Sequence, residues 1–358
     1  MKSKNILLIV TLLVMSILLS ACSSAIYAST SWHGLTASTD TVYLAAGTQV
    51  YAIDLNTGSE RWRYPPDKPN AKGFYANPVL TADGQLIVAG YDHKLYSLNA
   101  ATGTENWVFA DSSNRLIGSP LVTETMIYQP SADGHLYAID ITGKQVWAHE
   151  TGGPLWAQPV SDPDCACIFV ASMDHMVYSY NAQTGEPLWK SEDLGGALTG
   201  TPAYSTDGIL FIGTFGKEMI ALDATNGQVK WRFTTQDWVW SGPAFANNVL
   251  YFGDLSGYFY ALNASDGTQL WRIQPNNTIV ATPLVVGDNI YFATEADTLY
   301  TVSTAGDIVQ SKVIGGTLYG SPVLAGETLL VAPINSDVLL VALTTNGDQK
   351  WTFTPAKK

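Results

Sequence analysis

The string "YALNASDGTQLW" (Tyr260–Trp271) returns in altered form as "YAIDLNTGSERW", "YSLNAATGTENW", "YAIDITGKQVW" and "YSYNAQTGEPLW". Their common step is G-x-x-x-W. Gly58–Trp62, Gly103–Trp107, Gly143–Trp147, Gly185–Trp189, Gly227–Trp231, Gly267–Trp271 and Gly347–Trp351 obey it, while Gly306 leads to Gln310 in a degenerate copy. Eight units result, with tryptophan positions 39 to 45 residues apart. A second marker runs in phase: Pro78, Pro120, Pro159, Pro202, Pro243, Pro283 and Pro322, with Thr36 in that slot of the first unit. Two independent markers sharing one period make the repeat the organising fact of the chain.

Within each unit, short alternating runs of β-branched and aromatic residues are separated by Gly/Asp/Asn turns. This reads as four antiparallel strands, and no helical period occurs beyond the first residues. Asp or Asn heads the tryptophan turn (Asp54, Asn99, Asp140, Asn181, Asp223, Asn263), placed to accept backbone N–H groups two residues on, and Gly supplies the positive φ that follows. Four-stranded units repeated eight times predict an all-β, eight-bladed β-propeller, in which blades stack to bury both faces. The first strand is expected at Thr36–Ser38 and the last at Trp351–Phe353. Each tryptophan is expected buried in a seam between blades, where truncating Trp231 to Ala would cost roughly 3–5 kcal/mol.

The pattern A-x-[DN]-x-x-[TN]-G-x-x-x-W resembles the tryptophan-docking repeat of the PQQ-like (quinoprotein-like) β-propellers, over residues 32–358. The resemblance implies that Trp62, Trp107, Trp147, Trp189, Trp231, Trp271 and Trp351 pack against the turn of a neighbouring blade. The same repeat occurs in quinoprotein dehydrogenases and in non-enzymatic lipoproteins, so it speaks for the fold and not for an activity.

The first residues read as a leader. Lys2 and Lys4 precede an apolar run of 14 residues, short for a membrane span. The ending "LSAC" resembles the lipobox of bacterial lipoproteins, which implies cleavage of residues 1–21, acylation of Cys22 and a lipid-anchored tether over 22–31. Formal net charge is −13, and −15 once Lys2 and Lys4 leave with the leader. That excess of acid argues against nucleic acid or bare anionic lipid as partner. With Cys22 lipidated, Cys165 and Cys167 remain. They read as a cramped local disulfide in a turn, or alternatively as a redox or metal site.

Catalytic patterns are sparse: no G-x-S-x-G, H-E-x-x-H, P-loop or G-x-G-x-x-G after a strand occurs. Asp92-His93, Asp133-Gly-His135 and Asp174-His175 fall at matching turns, which hairpin chemistry explains without a metal. The residues three before each proline (His33 in the first unit, then Tyr75, Ile117, Trp156, Thr199, Trp240, Val280 and Tyr319) are expected at the mouth of the central channel, with Asp237 and Trp238 nearby. The large aromatics Tyr75, Trp156, Trp240 and Tyr319 either form an apolar binding surface there, with Trp238 beside them, or plug the channel.

A lipid-anchored, acidic, eight-bladed propeller with short loops resembles the BamB-type lipoproteins of the outer-membrane β-barrel assembly machinery. That resemblance implies a non-catalytic, monomeric scaffold holding envelope proteins through rim loops or strand addition. Ser23 after Cys22 implies the outer membrane, facing the periplasm, of a two-membrane bacterium; in a single-membrane cell the place is the outer face of the cell membrane. The alternatives are a small-ligand or glycan-binding propeller using the aromatic mouth, and a PQQ-dependent dehydrogenase with calcium. Under the first reading no cofactor is expected.

Overall fold

The computed structural model describes residues 32–67, 73–162, 164–275 and 277–356. The leader, Cys22 and the 22–31 segment lie outside the described residues.

Among the described residues thirty-two strands form eight four-stranded sheets, each built from four consecutive strands in simple up-and-down order. All pairings are antiparallel, as short turns between neighbours require. Blade 1 is Gly34–Ala37, Thr41–Ala46, Gln49–Asp54 and Glu60–Tyr64, and blade 8 is Val323–Ala325, Thr328–Val331, Leu340–Thr344 and Gln349–Phe353. The first strand thus begins at Gly34, two residues before the expected Thr36. No strand is exchanged between the first and last blades among the described residues.

The hydrophobic core is divided into eight clusters, one in each seam between neighbouring blades. Leu44, Ile53, Leu330, Leu340 and Phe353 join blade 8 to blade 1, and equivalent sets fill the other seven seams. Second strands such as Thr41–Ala46 are buried throughout. They face a seam on each side, which explains their unbroken apolar sequence.

The tryptophan repeat supplies the outer clamp of seven of the eight seams, Gln310 covering Gly347 in the eighth. Each indole lies over the turn glycine of the next blade: a Cβ on Gly103 would sit 2.6 Å from the Trp62 ring, one on Gly267 2.7 Å from Trp231, and one on Gly58 2.7 Å from Trp351. These glycines hold φ between 71 and 95°, so both the turn and the ring exclude a side chain. Each indole N–H donates to a carbonyl of the same turn, Trp62 to Ala100 at 3.1 Å, Trp231 to Ala264 at 3.0 Å and Trp351 to Leu55 at 2.9 Å. The last bond joins blade 8 to blade 1 and completes the ring. Turn carboxamides and carboxylates act as expected: Asp54 Oδ1 accepts from the N–H of Asn56 at 3.0 Å, and Asn99 Oδ1 from that of Ala101 at 3.0 Å.

Two points differ from the sequence reading. The indoles are mostly half-buried, Trp147 alone falling to 9% exposure. The outer strand has open water beyond it, so one edge of the ring stays wet. In addition, every third-to-outer strand pair carries a β-bulge just after the tryptophan's partner, which is a small residue: Ala52 opposite Trp62, Ser97 opposite Trp107, Ala221 opposite Trp231. The bulge re-aims the outer strand, and the small partner leaves room for the ring.

Candidate binding face at the channel mouth

The loops leading into the inner strands share one end of the propeller with the turns between second and third strands, and backbone bonds stitch the two together. The loop into blade 5 is typical: Leu198 N–H donates back to Ser172 of blade 4, while Phe215 N–H of blade 5 donates to Ala197. Blade 6 repeats this with Val239 to Thr214 and Leu255 to Trp238. One apolar residue in each loop, among them Phe74, Leu116, Leu155, Leu198, Val239, Ile279 and Leu318, has no exposure and drives into a seam core.

Nearer the axis, the short strings before each proline acquire a physical meaning that sequence reasoning missed. The residue two before the proline slot is small because backbone approaches it. A Cβ on Gly34 would lie 2.1 Å from the Ala76 carbonyl, and one on Gly242, next to the proline, 2.0 Å from that of Thr201. In six of the eight units the residue just before the slot is polar, Leu35 and Gly242 being the exceptions, and several of these side chains bond the preceding blade. Asn77 Oδ1 accepts from Leu35 N–H at 2.9 Å, Ser119 Oγ from Asn77 N–H at 2.9 Å, and Ser321 Oγ from Thr282 N–H at 3.0 Å. The polar letters in "ANP", "GSP" and "ATP" were the signal: side chains at this position pair from blade to blade around the axis.

The predicted mouth residues reach this face in separate groups. Tyr75 is 8% exposed and packs edge-on to Tyr91 at 4.4 Å between centroids, with Trp32 at 6.5 Å and Arg115 over Tyr91 at 5.3 Å. Trp238 stacks on Phe215 at 4.8 Å and 10°, and Trp240 leans on the same ring at 5.3 Å. Tyr319 donates its hydroxyl to Glu295; that bond and then burial push the phenol up to about 12. Trp156 is half-buried, and its indole N–H finds no partner among the described residues. No ring contact among the described residues joins Tyr75, Trp156, Trp240 and Tyr319 to one another. The expected single aromatic surface is therefore several local clusters, of which Phe215–Trp238–Trp240 is the wettest, with Trp238 43% exposed.

The remaining members serve the walls. Ile117 and His33 are each 7% exposed, Val280 is partly buried, and Thr199 Oγ1 donates to the Trp240 carbonyl at 2.9 Å. Burial pushes the His33 imidazole down to about 4, against the pull of the Leu339 and Pro333 carbonyls beside it. Asp237 Oδ1 caps the N–H of Trp238 at 2.9 Å and faces Lys217 Nζ at 3.3 Å. Phe215 was absent from the sequence-based set because it occupies a second-strand turn, at the place held by Tyr91 in blade 2.

Those Asp/His turns are structural. Tyr137 donates to Asp133 at 2.9 Å, Tyr260 to Asp254 at 2.8 Å, and Tyr96 and Tyr178 bond Asp92 and Asp174 in the same way. Burial opposes ionisation of Asp133, yet the N–H groups of His135 and Ser113 with nearby hydroxyls hold its carboxyl down to about 2. His93 and His175 take φ of 68 and 76° at the turn corner, and His175 Nδ1 lies 3.2 Å from Asp193. Among the described residues no three His, Cys, Asp or Glu side chains stand together as a metal-ligand set. Cys165 and Cys167 are joined as a disulfide in the first turn of blade 4, Cα atoms 5.2 Å apart.

Calcium with pyrroloquinoline quinone, the group used by quinoprotein relatives of this fold, needs several oxygen ligands beside a flat slot. The mouth carboxylates Glu295 and Asp237 lie in different blades and are already engaged, by Tyr319 and by Lys217 with the Trp238 N–H, and no three acidic, His or Cys side chains gather among the described residues. This donor set does not fit the group.

Comparison with known proteins agrees with the fold. The crystal structure of BamB from Moraxella catarrhalis superposes with a TM-score of 0.72 at 17% identity, covering 84% of this chain and 92% of that one. In sequence, the outer membrane protein assembly factor BamB of Nitrosomonas eutropha is 28% identical over 155 residues, 42% of this chain and 37% of the relative. A quinoprotein ethanol dehydrogenase of Pseudomonas putida is 37% identical over 81 residues, 22% of this chain and 13% of that enzyme. These sequence matches span less than half the length of the relatives concerned. A family model described as outer membrane protein assembly factor BamB matches residues 23–154 and 173–352. The chain belongs to that family of PQQ-like β-propellers.

Proposed function

We propose that this protein is a non-catalytic interaction scaffold of the cell envelope, held outside the cytoplasm by a lipid on Cys22, that docks proteins of an outer-membrane β-barrel assembly machinery. It works as a monomer and without a cofactor. The observation that carries the reading is the family match across most of the chain together with the chemistry of the mouth, where carboxylates are tied to tyrosines and turns. A face stitched by backbone bonds between six of its loops and two turns each presents a rigid docking surface, which costs little ordering on binding. The test is in-membrane cross-linking of the intact lipoprotein with identification of what is linked; recovery of soluble partners alone, or of none, counts against the reading.

One observation favours a second reading. The Trp238 ring is stacked flat on Phe215 and 43% exposed, a geometry suited to the apolar face of a sugar or another small ring. Loss of glycan binding on Trp238→Ala, with protein cross-linking intact, supports it; absence of any glycan binding to the unaltered protein removes it.

A further inference from the structure

A propeller leaves one free strand edge on each blade, and an unprotected edge pairs with whatever extended chain it meets. All eight outer strands carry charge or proline against this: Arg61 and Arg63 in blade 1, Glu105 in blade 2, Glu150 in blade 3, Pro187 and Lys190 in blade 4, with Arg232, Arg272, Lys312 and Lys350 in blades 5, 6, 7 and 8. The outer strand of blade 7, Ile308–Val313, reads Ile-Val-Gln-Ser-Lys-Val. Its single charge, Lys312, is turned toward blade 8, where Nζ donates to the Gly347 carbonyl at 2.5 Å. Ile308, Val309 and Val313 are 51, 62 and 68% exposed, three of the seven large hydrophobic side chains in the described residues that face water. Val309, Ser311 and Val313 alternate along one side of the strand and are all exposed. This is also the blade whose docking tryptophan is replaced by Gln310.

Both ends of this edge are anionic. Asp307 precedes the strand, and Asp297, whose carbonyl accepts the Ile314 N–H, flanks its far end. No ion pair among the described residues engages either carboxylate. The complement of such an edge is a strand with apolar alternate side chains and cationic ends, because main-chain bonds supply affinity and the pleat supplies the side-chain code.

We propose that Ile308–Val313 is the docking edge for an extended segment of a partner polypeptide, apolar at alternate positions and carrying Lys or Arg at its ends. The proposal deepens the scaffold reading by naming its docking element. Its test reads the edge itself, so its outcome does not depend on which protein the cell supplies.

The experiment titrates the intact chain into a fluorescently labelled peptide of about nine residues, Lys-(Thr-Val) repeats-Lys, and follows anisotropy. Two further peptides are measured beside it, one ending in Glu and one N-methylated at alternate residues on one edge. The expected result is saturable binding by the first peptide, weakened about tenfold or more by N-methylation, by Glu ends, and by the pair Val309→Lys and Val313→Lys. Val146→Lys, on the outer strand of blade 3, leaves binding unchanged. Equal binding of the N-methylated peptide, insensitivity to the blade 7 substitutions, or no binding at about 1 mM peptide overturns the proposal. So does a dimer in sedimentation that dissolves on Val309→Lys, since the edge is then taken by a second copy. Should the substitutions unfold the protein, the two altered peptides still decide the matter with the unaltered chain.

Discussion

Replacing Trp231 by Ala removes one clamp of the ring without touching its neighbours. The indole packs over Gly267, lies 5.9 Å from the Phe211 ring between centroids, and donates to Ala264 O at 3.0 Å. It is half-buried, so about 80–120 Å² of apolar surface leaves the seam, worth about 2–3 kcal/mol at ~25 cal/mol per Å². The lost N–H bond adds up to about 1 kcal/mol, less if water reaches the freed carbonyl at the rim. The expected destabilisation is therefore about 3 kcal/mol, near the lower end of what a fully buried indole would give. Urea unfolding monitored by circular dichroism reads this as a lower midpoint at unchanged m-value. A loss below about 0.5 kcal/mol refutes the clamp, because a change that small is what an exposed surface site gives.

Three further outcomes follow from the same geometry. Gln310→Trp restores the missing clamp onto Gly347, with Thr345 O available as acceptor in the way Ala100 O serves both Tyr43 and Trp62; the melting temperature should rise by a few degrees for a gain of about 1–2 kcal/mol, and a fall contradicts the repeat logic. Gly103→Ala should cost at least about 1 kcal/mol more than Gly84→Ala, since both glycines have positive φ but only Gly103 lies under an indole, with nothing within 4 Å of Gly84; equal losses in denaturant melts show that the ring contact is immaterial. His33 is held neutral, its folded value about 4 against 6.5 unfolded. Its contribution is thus present above pH 6.5 and lost as pH falls toward 4, about 3 kcal/mol in all; His33→Gln should flatten that part of the stability-pH curve, and an unchanged slope refutes the assignment.

Blade number, strand order and the position of each turn were legible because Gly and Trp carry steric demands that few other residues meet, and each demand recurs in phase. Gln310 already marked blade 7 as the odd repeat. What the sequence did not disclose depends on distances across the ring. Tyr75, Trp156, Trp240 and Tyr319 occupy the same slot in blades 2, 4, 6 and 8, so they stand two blades apart, and the slot leaves open how far each side chain reaches toward the axis. The rings therefore meet local partners such as Tyr91, Phe215 and Glu295 instead of one another. The half-burial of the indoles was hidden for a similar reason. A G-x-x-x-W spacing says which turn the ring covers, and the curvature of the outer strand decides how much of it water still touches. The polar residues before most of the prolines could have been read as blade-to-blade links, since Asn77, Ser119, Thr201 and Ser321 each accept a backbone N–H from the preceding blade, about forty residues away.

The central claim, a lipid-held scaffold docking envelope-assembly proteins, is tested most directly by in-membrane cross-linking of the native lipoprotein with mass spectrometry of the linked peptides. The account predicts recovery of an outer-membrane barrel-assembly protein, its links confined to the loop face and the blade 7 edge. Recovery of no protein partner, or links spread without preference over all eight blades, contradicts it.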